Sequence, residues 1–327
     1  MFRKNAYWIL LLVGCVTTIT LASDLMPVKL ALDWTPNTNH TGIYVAQELG
    51  YFAEEGLQVE IVQPGPTTSI QLTGTGKVEF GVSMQEYVTM ARSQNVPVVS
   101  IAAVIQHNTS GFAALKEKNI QTALDFEHKR YGGWGSALEE AMIQTAMGVA
   151  GADFTTVTQV NIGMVDFTTA ATRDLADFFW IFYGWEGIHA ELEALDFTFI
   201  PLIDISDIFD YYTPIIISSE GLIDQNPDLV RRFLRALSKG YQYAIDAPVG
   251  AAEILLKHVP ELDQELVRVS QAWLAGKYAE GAEIWGVQCH ETWQRFMEWA
   301  VGSGLIETEI DVDRAFTNAF LPQASDD

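Results

Sequence analysis

From Val28 to Phe182, short apolar runs alternate with stretches whose apolar residues recur at helical spacing, and this alternation constrains the fold more than any other feature. Residues 28–32, 57–62, 78–82 and 98–104 read as buried strands, separated by helices near 41–49, 68–73 and 85–92. Strands spaced by helices predict a mostly parallel sheet whose crossover helices cover both faces. A second unit opens near Phe112, with strands at 130–132, 156–160 and 178–182 and helices at 136–147 and 166–171. Ser136 is placed to cap its helix, with Glu139 as capping-box partner. From Asn226-Pro227 onward the pattern is helical, at 229–246, 249–257, 264–275, 290–301 and 312–320. No low-complexity linker interrupts it. The expectation is therefore an α/β chain of two lobes that share an interleaved backbone, lobe 1 from 28–111 and 217–322 and lobe 2 from 112–216.

The first residues carry Arg3 and Lys4 ahead of an apolar run ending at Gly14, the layout of an export signal. Leu12-Val13-Gly14-Cys15 has the form of a lipobox. The expectation is a lipoprotein signal over 1–14, acylation of Cys15 and a tether over 15–27; the alternatives are a secretory signal cut near Ala22-Ser23 or an uncleaved anchor. Two acyl chains on one cysteine suffice for lasting attachment to a membrane. Acylation would leave Cys289 as the one remaining thiol, which excludes an internal disulfide and a multi-cysteine zinc site. Cys289 lies among apolar residues at helical spacing and is expected to be a buried structural thiol.

Acids outnumber Lys plus Arg by 42 to 19, and losing Arg3 and Lys4 takes the net charge from -23 to −25. Such a field repels phosphodiesters, and no basic patch offsets it, so no nucleic-acid partner is expected. Catalytic signatures such as G-x-S-x-G, H-E-x-x-H and G-x-G-x-x-G are absent. Gly74-Thr75-Gly76-Lys77 reads as a turn rather than a phosphate loop, His128 as solvated, and Asp204, Asp207 and Asp210 as a solvated acidic loop. No metal, cofactor or catalytic residue is assigned.

In open α/β sheets ligands sit beyond the carboxyl ends of the strands. The segments there are Asp33–Asn37, Ser83–Tyr87, Gln106–Ser110, Gly133–Ser136 and Tyr183–Glu186. Each joins an aromatic or imidazole ring to short polar groups, the composition of a small-molecule slot. Trp34, Trp134 and Trp185 are expected in that slot, whereas Trp180 reads equally as core. The Gly132–Ser136 turn, at a helix N-terminus, would offer backbone N–H donors.

Leu32–Asn37 through His40, then Tyr44–Gln47 and Gly50–Leu57, resemble the opening of solute-binding proteins for thiamine pyrimidine precursors and riboflavin. The resemblance continues through Gly76–Gly81, Gly132–Ser136 and Asn226–Val230. It implies a two-lobed, hinged, type II-like periplasmic-binding-protein fold, a monomeric receptor on the extracytoplasmic face of the cell membrane, and an ABC permease with its ATPase as partners. A fungal branch is an enzyme that consumes one of its own histidines; Tyr87 stands at that position here, so the resemblance implies binding rather than catalysis. The rings around Trp134 and Trp180–Trp185 favour riboflavin over a pyrimidine precursor such as formylaminopyrimidine or hydroxymethylpyrimidine, with a sensor without transport as a third reading. The ligand set so implied is Trp34, Asn39, Tyr87, Trp134, Gly135, Ser136, Tyr183, Trp185 and Glu186.

Overall fold

The computed structural model describes residues 25–163 and 165–322. The export signal, Cys15 and most of the tether lie outside the described residues. Among those described, no helix is long and apolar enough to cross a membrane.

The chain builds two five-stranded sheets. The first begins with β1 (Met26–Ala31), α1 (Thr41–Glu48), α2 (Tyr51–Glu54), β2 (Leu57–Val62), α3 (Ser69–Gly74), β3 (Phe80–Ser83), α4 (Gln85–Ser93) and β4 (Val98–Ala103). The chain then crosses to the second sheet. There it forms β5 (Ser110–Leu115), β6 (Arg130–Gly133), α5 (Ala137–Ala150), β7 (Thr158–Asn161), α6 (Phe167–Thr172), β8 (Phe178–Phe182), α7 (Ile188–Leu192), β9 (Phe197–Pro201) and α8 (Leu202–Ile205). It returns as β10 (Ile215–Ser219) and finishes with α9 (Glu220–Gln225), α10 (Pro227–Asp246), α11 (Pro248–His258), α12 (Gln264–Leu274) and α13 (His290–Gly302).

The strand orders are β2-β1-β3-β10-β4 and β7-β6-β8-β5-β9. Each sheet has four strands running one way, and β10 in the first and β5 in the second run antiparallel to both neighbours. The cause is the crossing itself. A strand that enters a lobe from the shared cleft runs away from it, while the others point their carboxyl ends toward it. The sequence limits at 111/112 and 216/217 fall inside β5 and β10, which pair wholly within one sheet each; the crossings run through 104–109 and 210–214. Val104 N–H donates to Pro214 O at 3.0 Å and His107 Nδ1 meets Asp210 Oδ2 at 2.8 Å, so the crossings are laced side by side.

Lobe 1 closes over β1 and β3 with α1 and α10. Phe80 stacks on Phe233 at 3.7 Å with planes 9° apart. The two helices meet at glycines: a Cβ at Gly240 would lie 2.1 Å from Gly42 O, a contact only hydrogen permits. Lobe 2 packs Phe112, Phe126, Tyr131 and Phe178 ring against ring. Helix α13 packs into one apolar cluster with Val88 and Ala103 of lobe 1 and Met142 and Phe178 of lobe 2; Tyr211 packs against its Phe296, and Trp299 Nε1 donates to Thr145 Oγ1 at 2.9 Å.

Two sequence expectations are corrected here, and two strands are added. The helix expected over 312–320 is a single short turn, Val312–Arg314, because Phe316 leaves the helical path to stack on Trp293 at 5.6 Å. The strands β9 and β10 were not read from the sequence. Cys289 is exposed rather than buried: it precedes the first residue of α13 and its thiol donates to Glu291 Oε2 at 2.6 Å.

Candidate ligand-binding site

The loop after β1 is fixed by polar contacts that turn its ring outward. Asn37 caps the following turn by accepting from Asn39 N–H at 2.9 Å. Its own N–H donates to His40 Nδ1 at 3.2 Å, which leaves the proton on Nε2, 2.9 Å from Asp33 Oδ1. His40 is buried and anchors the loop, while Trp34 stands 47% exposed at its tip. The Asn39 side chain is partly exposed, and its carbonyl accepts from Tyr241 Oη at 2.7 Å.

Behind β3, Gln85 ties α4 to the second crossing: its N–H donates to Tyr212 O and its Oε1 accepts from Tyr212 N–H. Glu86 is wholly buried, and neither carboxyl oxygen has a hydrogen-bond partner. Burial, reinforced by Asp33, pushes its pKa up to about 8. Tyr87 is 38% exposed, and its hydroxyl is pushed up to about 12 by burial and by Glu86, Glu139 and Asp33. Those acids come from both lobes, so Tyr87 stands where the lobes face one another.

Behind β6, Trp134 is 38% exposed and stacks on Trp180 with centroids 5.8 Å apart and planes 24° apart. Trp180 is buried, extends the stack to Phe182, and leaves its Nε1 without a partner. The Gly133–Ser136 turn is pinned by Glu139. Its Oε1 accepts from Tyr131 Oη at 2.7 Å and Trp134 N–H at 3.2 Å, and its Oε2 from Ser136 N–H at 2.9 Å and Ser136 Oγ at 3.0 Å. A Cβ at Gly133 would sit 2.0 Å from Glu139 Oε1, so this approach requires glycine. Two backbone donors that the sequence offered to a ligand are thereby spent inside the protein. Gly135, at φ +77, is exposed at the turn's apex.

The segment after β8 divides. Glu186 is partly exposed, accepts from Phe182 N–H at 2.9 Å, and is pushed up to about 7 chiefly by burial. Tyr183, Gly184 and Trp185 instead dock lobe 2 on lobe 1. Tyr183 packs on Trp273 at 5.2 Å and on Phe199 at 5.0 Å, Gly184 O accepts from Ser270 Oγ, and Trp185 packs against the cluster of Tyr44, Leu255 and Val267. Trp34, Tyr87, Trp134, Gly135, Ser136 and Glu186 thus lie just past the carboxyl ends of β1, β3, β6 and β8, and Asn39 follows in the first of these segments. Tyr183 and Trp185 turn toward α12 and α11. A cavity of about 270 Å³ lies elsewhere, against the crossings at His107, Asp210, Tyr212 and Cys289, and none of the nine expected ligand residues lines it.

Sequence reading gave no role to His40, Glu86 or Ser270, and it held Trp180 equally as core and as slot. Glu139 was visible, but only as a cap. Among the described residues no three His, Cys, Asp or Glu side chains gather as a metal ion would need.

Residues 37–251 match the model of the family described as NMT1/THI5 like. The chain belongs to this family. Within the NMT1/THI5-like family it is 30% identical to the formylaminopyrimidine-binding protein of Halalkalibacterium halodurans, over 95% of this chain and 96% of that protein. It is 28% identical to a 4-amino-5-hydroxymethyl-2-methylpyrimidine phosphate synthase of Legionella pneumophila, over 90% and 92%. It is 27% identical to the riboflavin-binding protein RibY of Chloroflexus aurantiacus, over 92% and 88%. Its fold is that of the periplasmic aliphatic sulphonate binding protein SsuA from Escherichia coli, with TM-score 0.72 at 12% identity, over 91% of this chain and 94% of that one. The two-lobed periplasmic-binding-protein architecture is thus shared across the family member and a distant fold neighbour.

Proposed function

We propose that this chain is the extracytoplasmic receptor of an ABC importer and that it takes a 4-aminopyrimidine of the thiamine-precursor class. The observation that carries the reading is Glu186. One of its oxygens holds the Phe182 N–H, while Oε1 takes no hydrogen bond from the described residues. With a pKa near 7, its carboxyl can donate a proton to a ring nitrogen and accept from the adjacent amino group, a two-point match to a 4-aminopyrimidine edge. The five segments at the strand ends contain no Lys or Arg, in keeping with a ligand that donates hydrogen bonds and carries no negative charge. Trp34, Tyr87 and Trp134 supply flat faces, each stacked ring pair contributing about 0.5–1.5 kcal/mol beyond burial.

Riboflavin is the second reading. The Trp134–Trp180–Phe182 stack favours it, because a tricyclic ring needs a broad wall. Against that breadth, Tyr183 and Trp185, counted as walls from the sequence, are committed to lobe docking. Tyr87, at the position where the fungal enzymes resembled by this sequence use a histidine, supports binding over synthesis. Acylation of Cys15, a permease with its ATPase, and a monomeric state belong to the same proposal.

Parallel calorimetric titrations with formylaminopyrimidine and riboflavin test it. Saturable heat with the pyrimidine, weakened at least tenfold in Glu186→Gln, is the expected result. Saturable binding of riboflavin with no heat from the pyrimidine would overturn it.

A further inference from the structure

Helix α5, 14 residues long, begins at Ala137 just past Trp134, and helix N-termini attract anions. Here a carboxylate of the protein already occupies that position. Glu139 is 1% exposed and takes hydrogen bonds from two backbone N–H groups, the Ser136 hydroxyl and the Tyr131 hydroxyl. Both its oxygens are thereby filled, and no cation pairs with it among the contacts of this turn. Asp33 of lobe 1 acts with Glu139 in raising the Tyr87 hydroxyl, so acids of both lobes bear on the same ring. A phosphate ester reaching this turn would find its backbone donors taken and the Glu139 carboxylate already in the anion position.

We propose that Glu139 is a specificity-determining residue: a built-in anion that fills the anion position of the cleft and so restricts the ligand to unphosphorylated molecules. This rests on the reading of the cleft as a vitamin-precursor site, and holds whichever heterocycle it takes. The selection is electrostatic, acting at the helix terminus, and not a matter of room alone.

The test compares 4-amino-5-hydroxymethyl-2-methylpyrimidine with its phosphate ester, and riboflavin with its 5′-phosphate, by titration of the full chain and of Glu139→Gln. Glutamine keeps the capping-box pattern, and a thermal melt checks that the variant folds. The wild-type chain is expected to prefer the alcohol at least 100-fold, and Glu139→Gln to narrow that ratio at least tenfold. In the wild-type chain alone, raising ionic strength from 10 to 500 mM is expected to narrow it as well, since screening weakens repulsion and leaves steric exclusion unchanged. An alcohol and phosphate bound within tenfold of each other, or a ratio that neither salt nor the substitution moves, overturns the role of Glu139 with the vitamin reading intact. Failure of both alcohols to bind removes the vitamin reading, and the inference with it.

Discussion

Thr38 and Ser270, 232 residues apart in sequence, meet hydroxyl to hydroxyl at 2.5 Å with both side chains fully buried. Ser270 also donates to Gly184 O in the other lobe. One α12 hydroxyl thus joins the loop carrying Trp34 to the segment carrying Glu186, and it ties both loops to the closeness of the lobes.

Ser270→Ala should therefore loosen closure without dismantling either lobe. A buried hydrogen bond of this kind contributes about 1 kcal/mol, and more when its partner is left unsatisfied, so ligand affinity should fall about five- to thirtyfold, mainly through faster dissociation. Stopped-flow release and small-angle scattering check this. An unchanged release rate together with an unchanged radius of gyration would show that the bridge is incidental.

The two tryptophans once paired as walls should behave differently. Trp134→Ala removes an exposed ring stacked on Trp180 and should cost at least tenfold in affinity with little loss of stability. Trp185→Ala opens a hole against Tyr44, Leu255 and Val267 and should cost about 2–3 kcal/mol of folding stability, its effect on affinity arising through lobe docking. Denaturant melts beside titrations of both variants separate the outcomes; equal loss of affinity and no loss of stability at Trp185 would return it to the slot.

Stability should decline as pH rises from about 4.5 to about 8. Over that span the folded chain keeps protons on Glu86, shifted up to about 8, and on Glu186, shifted up to about 7, that the unfolded chain has released. The folded state binds more protons, so the slope is negative, at most about 1.4 kcal/mol per pH unit for each group, and it flattens once both have ionised. Asp177 works oppositely. Its carboxyl is held well below the usual range by Arg130 and Lys118 against the upward push of burial, so its contribution is present above pH 4 and lost on further acidification. Urea melts from pH 5 to 9 should show a shallower decline in Glu86→Gln; an identical decline would mean that Glu86 does not carry the proton.

Most of the fold was legible because it rests on local signals. The residues of β2 were read to their limits, the Ser136–Glu139 capping box forms as spaced, and Asn226-Pro227 opens α10. What escaped were features set by distant partners. Nothing near Phe197–Pro201 announces that β5 will pair with it, and the apolar spacing around Cys289 does not reveal that the residue falls just outside a helix. At the site, types were legible and directions were not. Trp134 and Trp185 sit in similar Gly-rich turns, and only the docking of α12 decides that one ring faces the cleft and the other a helix. Glu139 could be read as a cap, but its filling of the turn depends on Tyr131 and on the close approach at Gly133.

The threading of the chain has a mechanical consequence. Strand β1 and the C-terminal Leu321 both belong to the lobe 1 core, while lobe 2 hangs between two crossings joined by Val104 N–H to Pro214 O. A pull on these two segments loads lobe 1 first and reaches lobe 2 only through its two crossings, so separating β1 from Leu321 opens lobe 1 before any strand of lobe 2 is strained.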